Sequence, residues 1–562
     1  MSSTARRSNP SAAGAEAVLV WAFVALAVIA LGTTWSATHL AAKIDGDPAP
    51  PGNPFTVLFG IFNGDVAWTS TATKAAIGIG VALLLLLAVV GALALKLFRQ
   101  TTTVDKADRY MARGQQLGAL RKTSAGKVAK RLGNGFGPGV PIVETLSGKM
   151  LYRTWEDVVI VLAGPRVGKT TSFVIPEILS APGAVLTTSN KGDVVQTTRA
   201  YRSTLGQTWV FDPQGLVEEH MTWWWNPLSY VTNEVKARQL ADMFEAASHD
   251  PNAKVDGYFG PKGRDLLANL LLAAATAGKP LTQVYLWLTD PTDDAPAVIL
   301  QAGGYDLISA AVRSAMSAAP EERSGIFGSA EQMASFMLNR EATRWVTPPT
   351  VPGVQEFDPH AFVRTNDTLY SLSKEGQGSA GGLVAALAAA VCEAAEDLAK
   401  TEPNGRLSTP LLVVLDEAAN VCRWAELPNL YSHYGSRGIL ISTYLQSPAQ
   451  GRAVWGNDGY EKLYSAANIK VYAGGVDDMK YLTDLSKAIG NYTHNRPSVS
   501  SGRNGRSISR QEQSDLILDV ADLRALPRGR AVLLASGTRA VLGRTLPWMD
   551  GPHAKAVRGT QP

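Results

Sequence analysis

VVIVLAGPRVGKTT, residues Val158 to Thr171, decides how the rest of the 562-residue chain is read. Val158, Val159, Ile160, Val161 and Leu162 are β-branched or apolar throughout, the composition of a buried strand. The run passes straight into a glycine-bearing turn and then into Lys169, Thr170 and Thr171. A strand, a small-residue turn and a helix start form a phosphate cradle: backbone N–H groups close around the oxygens, a lysine meets the β/γ charge, and a hydroxyl holds Mg²⁺. The pattern G-x-x-x-x-G-K-[ST] is met from Ala163 to Thr170 except at its first place, where Ala163 stands for glycine. The nucleotide-binding stretch is therefore Ala163, Gly164, Pro165, Arg166, Val167, Gly168, Lys169, Thr170 and Thr171, with Lys169 on the β/γ-phosphates. The plainer reading is a strand-to-loop turn with an exposed lysine, and the rest of the chain has to decide between the two.

Residues 410–420, PLLVVLDEAAN, carry the second signal. Leu411 to Leu415 read as a buried strand from which Asp416 and Glu417 emerge. Asp416 suits Mg²⁺, directly or through water, and Glu417 suits polarisation of an attacking water. Alone, the acidic pair would read as a helix N-cap; with Lys169 upstream and strands between for one sheet, it reads as the other half of an ATP site. Gln446, just past the apolar run Gly438 to Thr443, is placed to sense the γ-phosphate. Arg437, just before that run, is a candidate arginine finger into a neighbouring subunit. For both the alternative is ordinary polar decoration.

The composition fits a large folded protein. A chain of 562 residues exceeds one core, so two or three domains are expected. The formal charge of +4 is too mild to argue polyanion binding from the total. The two cysteines, Cys392 and Cys422, lack metal-ligand spacing and read as buried thiols in a reducing compartment.

The first hundred residues differ in kind. Neither 17–42 nor 75–95 contains Asp, Glu, Lys or Arg, and each is long enough for a span at about 1.5 Å per residue across roughly 30 Å. They are read as a two-span membrane hairpin; a cleaved signal peptide, suggested by Arg6-Arg7, is disfavoured by the length of the first run. Basic residues crowd 96–131, whereas 36–74 carries only Lys43 and Lys74 against three aspartates, so both termini are placed in the cytoplasm. The external loop, with Pro48, Pro50, Pro51 and Pro54, is expected to be partly irregular. The basic stretch after the second span suits anionic head groups better than nucleic acid.

Further along, Ala184–Thr188 and Thr208–Phe211 read as strands ending in SNKGD and FDPQG, and a helix alternates with each, the pattern of a parallel sheet with crossovers. Ligand chemistry in such sheets gathers at the strands' carboxyl ends. From 233 to 345 the chain is alanine- and leucine-rich and helical in period, an all-helical insertion. Strands resume at Thr368–Ser371, a helix comes next at Ala380–Lys400, and Asn468–Ala473, Arg530–Ala535 and Ala540–Leu546 are further strands. Residues 495–513, rich in Ser, Arg, Gly and Asn, are expected to be a mobile loop.

In this order, the two spans, the phosphate loop, SNKGD, FDPQG, the helical insertion, VVLDEAAN and RGILISTYLQS resemble the TraG/TraD-type coupling proteins of conjugative type IV secretion. The resemblance covers most of residues 15–549. It implies a RecA-like, membrane-anchored, hexameric ATPase that receives single-stranded DNA with its relaxase and drives it to the secretion channel, using ATP and Mg²⁺. It implies Lys169 on phosphate, Thr170 and Asp416 on the metal, Glu417 as catalytic carboxylate and Gln446 as sensor. The chain departs from the family at Ala163 and at Ser189-Asn190, where Asp-Pro is frequent, which leaves the roles of Lys191 and Asp193 open.

The expected organisation is a cytoplasmic tail (1–16), a two-helix anchor in the cell's inner membrane (17–98), a basic linker and entry to the motor domain (99–150), the nucleotide-binding domain in two parts (151–232 and 346–549) around the all-alpha insertion (233–345), and a short tail (550–562). A double-strand DNA pump of the FtsK/SpoIIIE kind would share the nucleotide chemistry but lacks support from any basic winged-helix segment at the C-terminus. A membrane receptor that binds nucleotide without turning it over would not need Glu417.

Overall fold

In a computed structural model, residues 12–97, 102–248, 257–375, 380–502 and 505–560 are described, with side chains given outside 12–26, 87, 90–97 and 495–511. The chain divides into two compact units, Met1–Thr101 and Thr102–Pro562.

The first unit holds helices Ala12–Asp45, Pro54–Asn63 and Ser70–Leu97. The stretch expected as irregular external loop is therefore partly helical. Its reason is local: Asn53 caps the first turn by accepting from the Phe55 N–H, Pro54 fits the first helical position, and left-handed Gly64 ends the helix. Val28, Leu84 and Leu85 on the long helices, and Phe55, Phe59 and Phe62 on the short one, are exposed. Among the described residues no helix is long and apolar enough to cross a membrane. The expected spans 17–42 and 75–95 run partly outside the residues whose side chains are described.

The second unit is built on one sheet. Its strands in chain order are β1 (Val140–Thr145), β2 (Met150–Arg153), β3 (Val159–Leu162), β4 (Val185–Ser189), β5 (Thr208–Phe211), β6 (Trp223–Trp224), β7 (Gln355–Glu356), β8 (Thr368–Leu372), β9 (Leu411–Leu415), β10 (Ile439–Leu445), β11 (Ile469–Tyr472), β12 (Asn491–Gly502), β13 (Gly505–Leu516), β14 (Arg530–Ala535) and β15 (Val541–Arg544). Eleven form the main sheet, ordered β2-β1-β15-β14-β11-β3-β10-β9-β4-β8-β5. From β11 to β5 every neighbour is parallel, and from β11 outward to β2 every neighbour is antiparallel.

The apolar runs that mark β3, β9 and β10 result from burial on both faces. Successive side chains point to opposite faces, and here they fall into two different cores. Ile160, Leu162, Val413, Leu415, Ile439 and Ile441 join one, which also holds the helix Gly381–Thr401. Val159, Val161, Leu412, Val414 and Leu440 join the other, with Phe173, Val174 and Ile178 from the segment after the phosphate loop. A mixed α/β fold with a large, mostly parallel sheet is thus present.

One sequence expectation is sharpened and one is corrected. Residues 99–150, read as a basic linker and entry to the motor domain, contain β1 and begin β2, which extend the sheet through β15; these strands are short, carry Pro141, and have no long apolar run to betray them. Residues 495–513, read as a mobile loop, lie mostly in the β12–β13 ribbon, paired in register from Asn491↔Leu516 to Gly502↔Gly505. Composition misleads here because a two-stranded ribbon satisfies backbone N–H and C=O groups across itself without needing a core.

Between β6 and β7 the chain forms helices including Glu234–Ser248, Phe259–Thr276, Asp306–Met316 and Pro320–Ala334. Its entry and exit are joined where β6 pairs in parallel with β7 and the Trp225 N–H donates to the Trp345 carbonyl at 2.9 Å. Trp209, Phe211, Trp223, Trp345 and Phe357 pack there with ring centroids between 5.2 and 6.0 Å.

Candidate functional site

The site forms at the carboxyl ends of β3, β9 and β10, which lie side by side with β10 in the middle. That order places the segment after β10 between the phosphate loop and the acidic pair.

Ala163 is buried and its N–H donates to the Leu445 carbonyl at 3.0 Å, so it still belongs to the strand ladder. Its φ is not positive, and the missing glycine of the motif therefore costs nothing at this place. Gly164 is the position that demands glycine. Its N–H donates to the Gly474 carbonyl at 2.9 Å, and a Cβ there would lie 1.9 Å from the Gly475 oxygen. The Gly474-Gly475 turn after β11, both residues left-handed, is thus a wall of the phosphate loop that sequence reasoning missed; two consecutive glycines after a buried strand were the available signal. Gly164→Ala is expected to destabilise the fold by about 1–3 kcal/mol and to weaken nucleotide binding, checked by thermal melts with and without ATP.

Pro165 and Arg166 are exposed at the loop's tip, Val167 is half-buried, and Gly168 turns the chain with φ +88°. Arg166 also adopts a left-handed φ of 61°, a conformation costly for a residue with a Cβ and concentrated at functional sites. Thr170–Val174 forms a wide π-helical turn, continued by Ile175–Leu179. Pro176, which lacks an N–H, accounts for the departure from α-helical bonding.

The acidic residues meet the lysine here. The Lys169 ammonium lies 2.9 Å from Asp416 Oδ1 and pairs closely with Glu417 Oε1, and all three side chains are buried. The separation of some 250 positions along the chain is closed by the parallel register of β3, β10 and β9. Glu417 takes a left-handed φ of 52° as the strand ends, turning its carboxylate toward the loop. Its other oxygen accepts from the Gln446 side-chain amide at 2.9 Å and from Asn420 at 3.4 Å. The Asp416 carbonyl accepts from the Thr188 hydroxyl at 2.9 Å, which ties the acidic turn to β4.

Burial works against both charged partners. The Lys169 pKa is nonetheless raised, because the attraction of Asp416 and Glu417 outweighs the loss of water. The Asp416 pKa is also raised: burial leads, the neighbouring Glu417 and Asp193 add to it, and Lys169 opposes it. Asp416 Oδ1 has the ammonium near it but no hydrogen bond of good angle, although it is buried. That oxygen and the half-buried Thr170 hydroxyl are hard donors fit for Mg²⁺, which keeps waters and needs only one or two protein oxygens beside phosphate. Among the described residues there is no cluster of three His, Cys, Asp or Glu for a protein-only metal site.

Arg437 lies elsewhere. It precedes β10, at the opposite edge of the sheet from Lys169, and its guanidinium is 3.4 Å from Glu396. Lys191 and Asp193 come after β4, at the same edge as the acidic pair. Cys392 and Cys422 are buried, free thiols whose pKa values burial pushes up, that of Cys422 to about 12. A cavity of about 480 Å³, lined by Tyr460, Tyr464, Lys470 and Tyr481 among others, lies at the amino end of β11, away from this site.

Known proteins match a segment of this chain and its fold. The family model described as "TraM recognition site of TraD and TraG" matches residues 410–528, the segment that opens with β9 and the acidic pair. No curated protein matches the chain. Among solved structures, the unbound bacterial conjugative coupling protein TrwBdeltaN70 is similar with a TM-score of 0.53 at 18% identity, over 72% of this chain and 88% of that one. Its trigonal form with sulphate has a TM-score of 0.53 at 17% identity, over 78% and 94%. The plasmid coupling protein TrwB in complex with ADP and Mg²⁺ has a TM-score of 0.52 at 16% identity, over 72% and 89%. At these identities the likeness is one of fold, and the RecA-like sheet is what is shared. Through that fold and the matched segment 410–528, the chain resembles the TraG/TraD-type coupling proteins.

Proposed function

We propose that the chain is a membrane-anchored ATPase that couples hydrolysis to delivery of single-stranded DNA, with its bound relaxase, into a conjugative type IV secretion channel. The observation that carries the ATPase reading is the meeting of Lys169, Asp416, Glu417 and Gln446 at one edge of the sheet. Lys169 is ion-paired with both carboxylates. When the triphosphate enters, Lys169 turns its charge to the β/γ-phosphates. Thr170 and Asp416 would hold Mg²⁺, which would neutralise charge on the phosphates. Glu417, released from the lysine, accepts a proton from the attacking water as the water oxygen bonds to the γ-phosphorus; the bond between the γ-phosphorus and the bridging oxygen breaks, giving ADP and phosphate. Gln446, bonded to Glu417, registers whether the γ-phosphate is present.

The cargo and location rest on other support. The family resemblance favours DNA, relaxase, an accessory protein of the TraM kind, the secretion-channel components and a hexamer; Arg437, just before β10, is the candidate to reach a neighbour's site. The uncharged runs 17–42 and 75–95, together with the exposed apolar side chains of the first unit, favour an inner-membrane anchor with both termini cytoplasmic. The test is ATP hydrolysis by the detergent-solubilised full chain, with single-stranded DNA, with duplex, and with neither. Stimulation by single strands is expected; stimulation by duplex alone would favour a double-strand pump, and no hydrolysis under any condition would leave a nucleotide-binding receptor.

A further inference from the structure

Two motifs singled out in the sequence, SNKGD and FDPQG, find no role in the phosphate chemistry. Both converge on one segment. Gln214 of FDPQG accepts through Oε1 from the Ser373 hydroxyl at 3.0 Å, from the Lys374 N–H at 2.8 Å and from the Ala380 N–H at 3.3 Å. Asn190 of SNKGD donates its side-chain amide to Glu375, next after Lys374. Glu375 is exposed, yet it is not directed to solvent alone: the same Oε1 accepts from Asn420 Nδ2 at 2.9 Å. Asn420 is the residue whose Nδ2 also reaches Glu417 Oε2, at the longer distance of 3.4 Å.

One amide group thus bridges two carboxylates, one in the reacting set and one on a neighbouring turn, and it sits nearer the second. An amide nitrogen carries two hydrogens, so both bonds can coexist, but their strengths trade against each other as the nitrogen moves. We infer that Asn420 is a positioning residue for Glu417 and that Glu375 sets how firmly it holds. With Glu375 in place, Asn420 is drawn off and Glu417 Oε2 is left mainly to Gln446. If Glu375 is removed, Asn420 moves onto Glu417 and occupies the lone pair that would face water. Glu375, held by Asn190, is then a lever on hydrolysis that touches neither nucleotide nor metal. This inference rests on the reading of Glu417 as catalytic carboxylate.

The test is the DNA-free ATP turnover of the full-length solubilised protein carrying Asn420→Ala, Glu375→Ala or Glu375→Gln, beside Glu417→Gln and wild type. Asn420→Ala is expected to raise kcat about threefold or more and Glu375→Ala to lower it by a similar factor, with KM for ATP changed less than about twofold in each. Glu375→Gln, which keeps an acceptor oxygen, is expected to stay close to wild type. A purely structural role would lower melting temperature and activity together and would not give opposite signs. If both alanine variants shift kcat the same way, or neither shifts it while Glu417→Gln abolishes turnover, the inference is wrong and the ATPase reading stands. If Glu417→Gln turns over like wild type, the reading beneath it fails instead.

Discussion

Glu417→Gln is expected to bind ATP about as tightly as the wild-type chain and to lose about 10²- to 10⁴-fold in kcat. The amide keeps the volume of the side chain and can still meet Gln446, but it cannot take a proton from water. The bond between Lys169 and Asp416 survives the change, so the loop that holds the phosphates is not disturbed. Nucleotide affinity from a fluorescent analogue and steady-state phosphate release measure the two effects separately. Equal loss of both would assign Glu417 to binding, and undiminished turnover would remove it from the reaction.

Lys169→Ala should fail in the opposite way, at binding. Losing a charged partner to phosphate is worth about 1.5–3 kcal/mol, roughly 10- to 100-fold in affinity. The substitution also exposes the electrostatics of the empty site. Asp416 is buried beside Glu417, and Lys169 is what pulls its pKa back down. Without the ammonium that pKa rises further above its unfolded value. A carboxyl group whose folded pKa is raised contributes stability below the unfolded pKa and loses it as pH climbs through the folded one. The apo variant should therefore melt lower than wild type at pH 8, and the gap should narrow as pH falls toward 5. Breaking a buried pair costs up to about 3–5 kcal/mol, and protonation of one carboxyl group returns part of that. A gap that is constant across this range would show that the lysine does not set the Asp416 pKa.

What the sequence disclosed and what it hid have the same physical origin. Strands buried on both faces announce themselves by unbroken apolar runs, and so β3, β9 and β10 were legible, as was the mostly parallel sheet. The order of the strands was not, because nothing in a run of valines states its neighbour; only the fold places β10 between β3 and β9. β1 and β2 were hidden by their shortness, and the β12–β13 ribbon by a composition that can pair but cannot form a core. At the site, Lys169, Asp416, Glu417 and Gln446 were singled out because motifs fix their spacing from strand ends. The Gly474-Gly475 wall, Asn420 and Glu375 were missed because each acts through a contact made across the fold. Asn420 even closes the acidic stretch PLLVVLDEAAN, where its amide has no visible partner.

The central claim is that one triphosphate replaces the ion pair of Lys169 with Asp416 and Glu417. The direct measurement is a cryo-EM structure of the full chain carrying Glu417→Gln, with ATP and Mg²⁺. The expected map has Lys169 on the β/γ-phosphates, and Thr170 and Asp416 on the metal. Nucleotide bound anywhere else on the chain, with Lys169 still paired to Asp416, would contradict it.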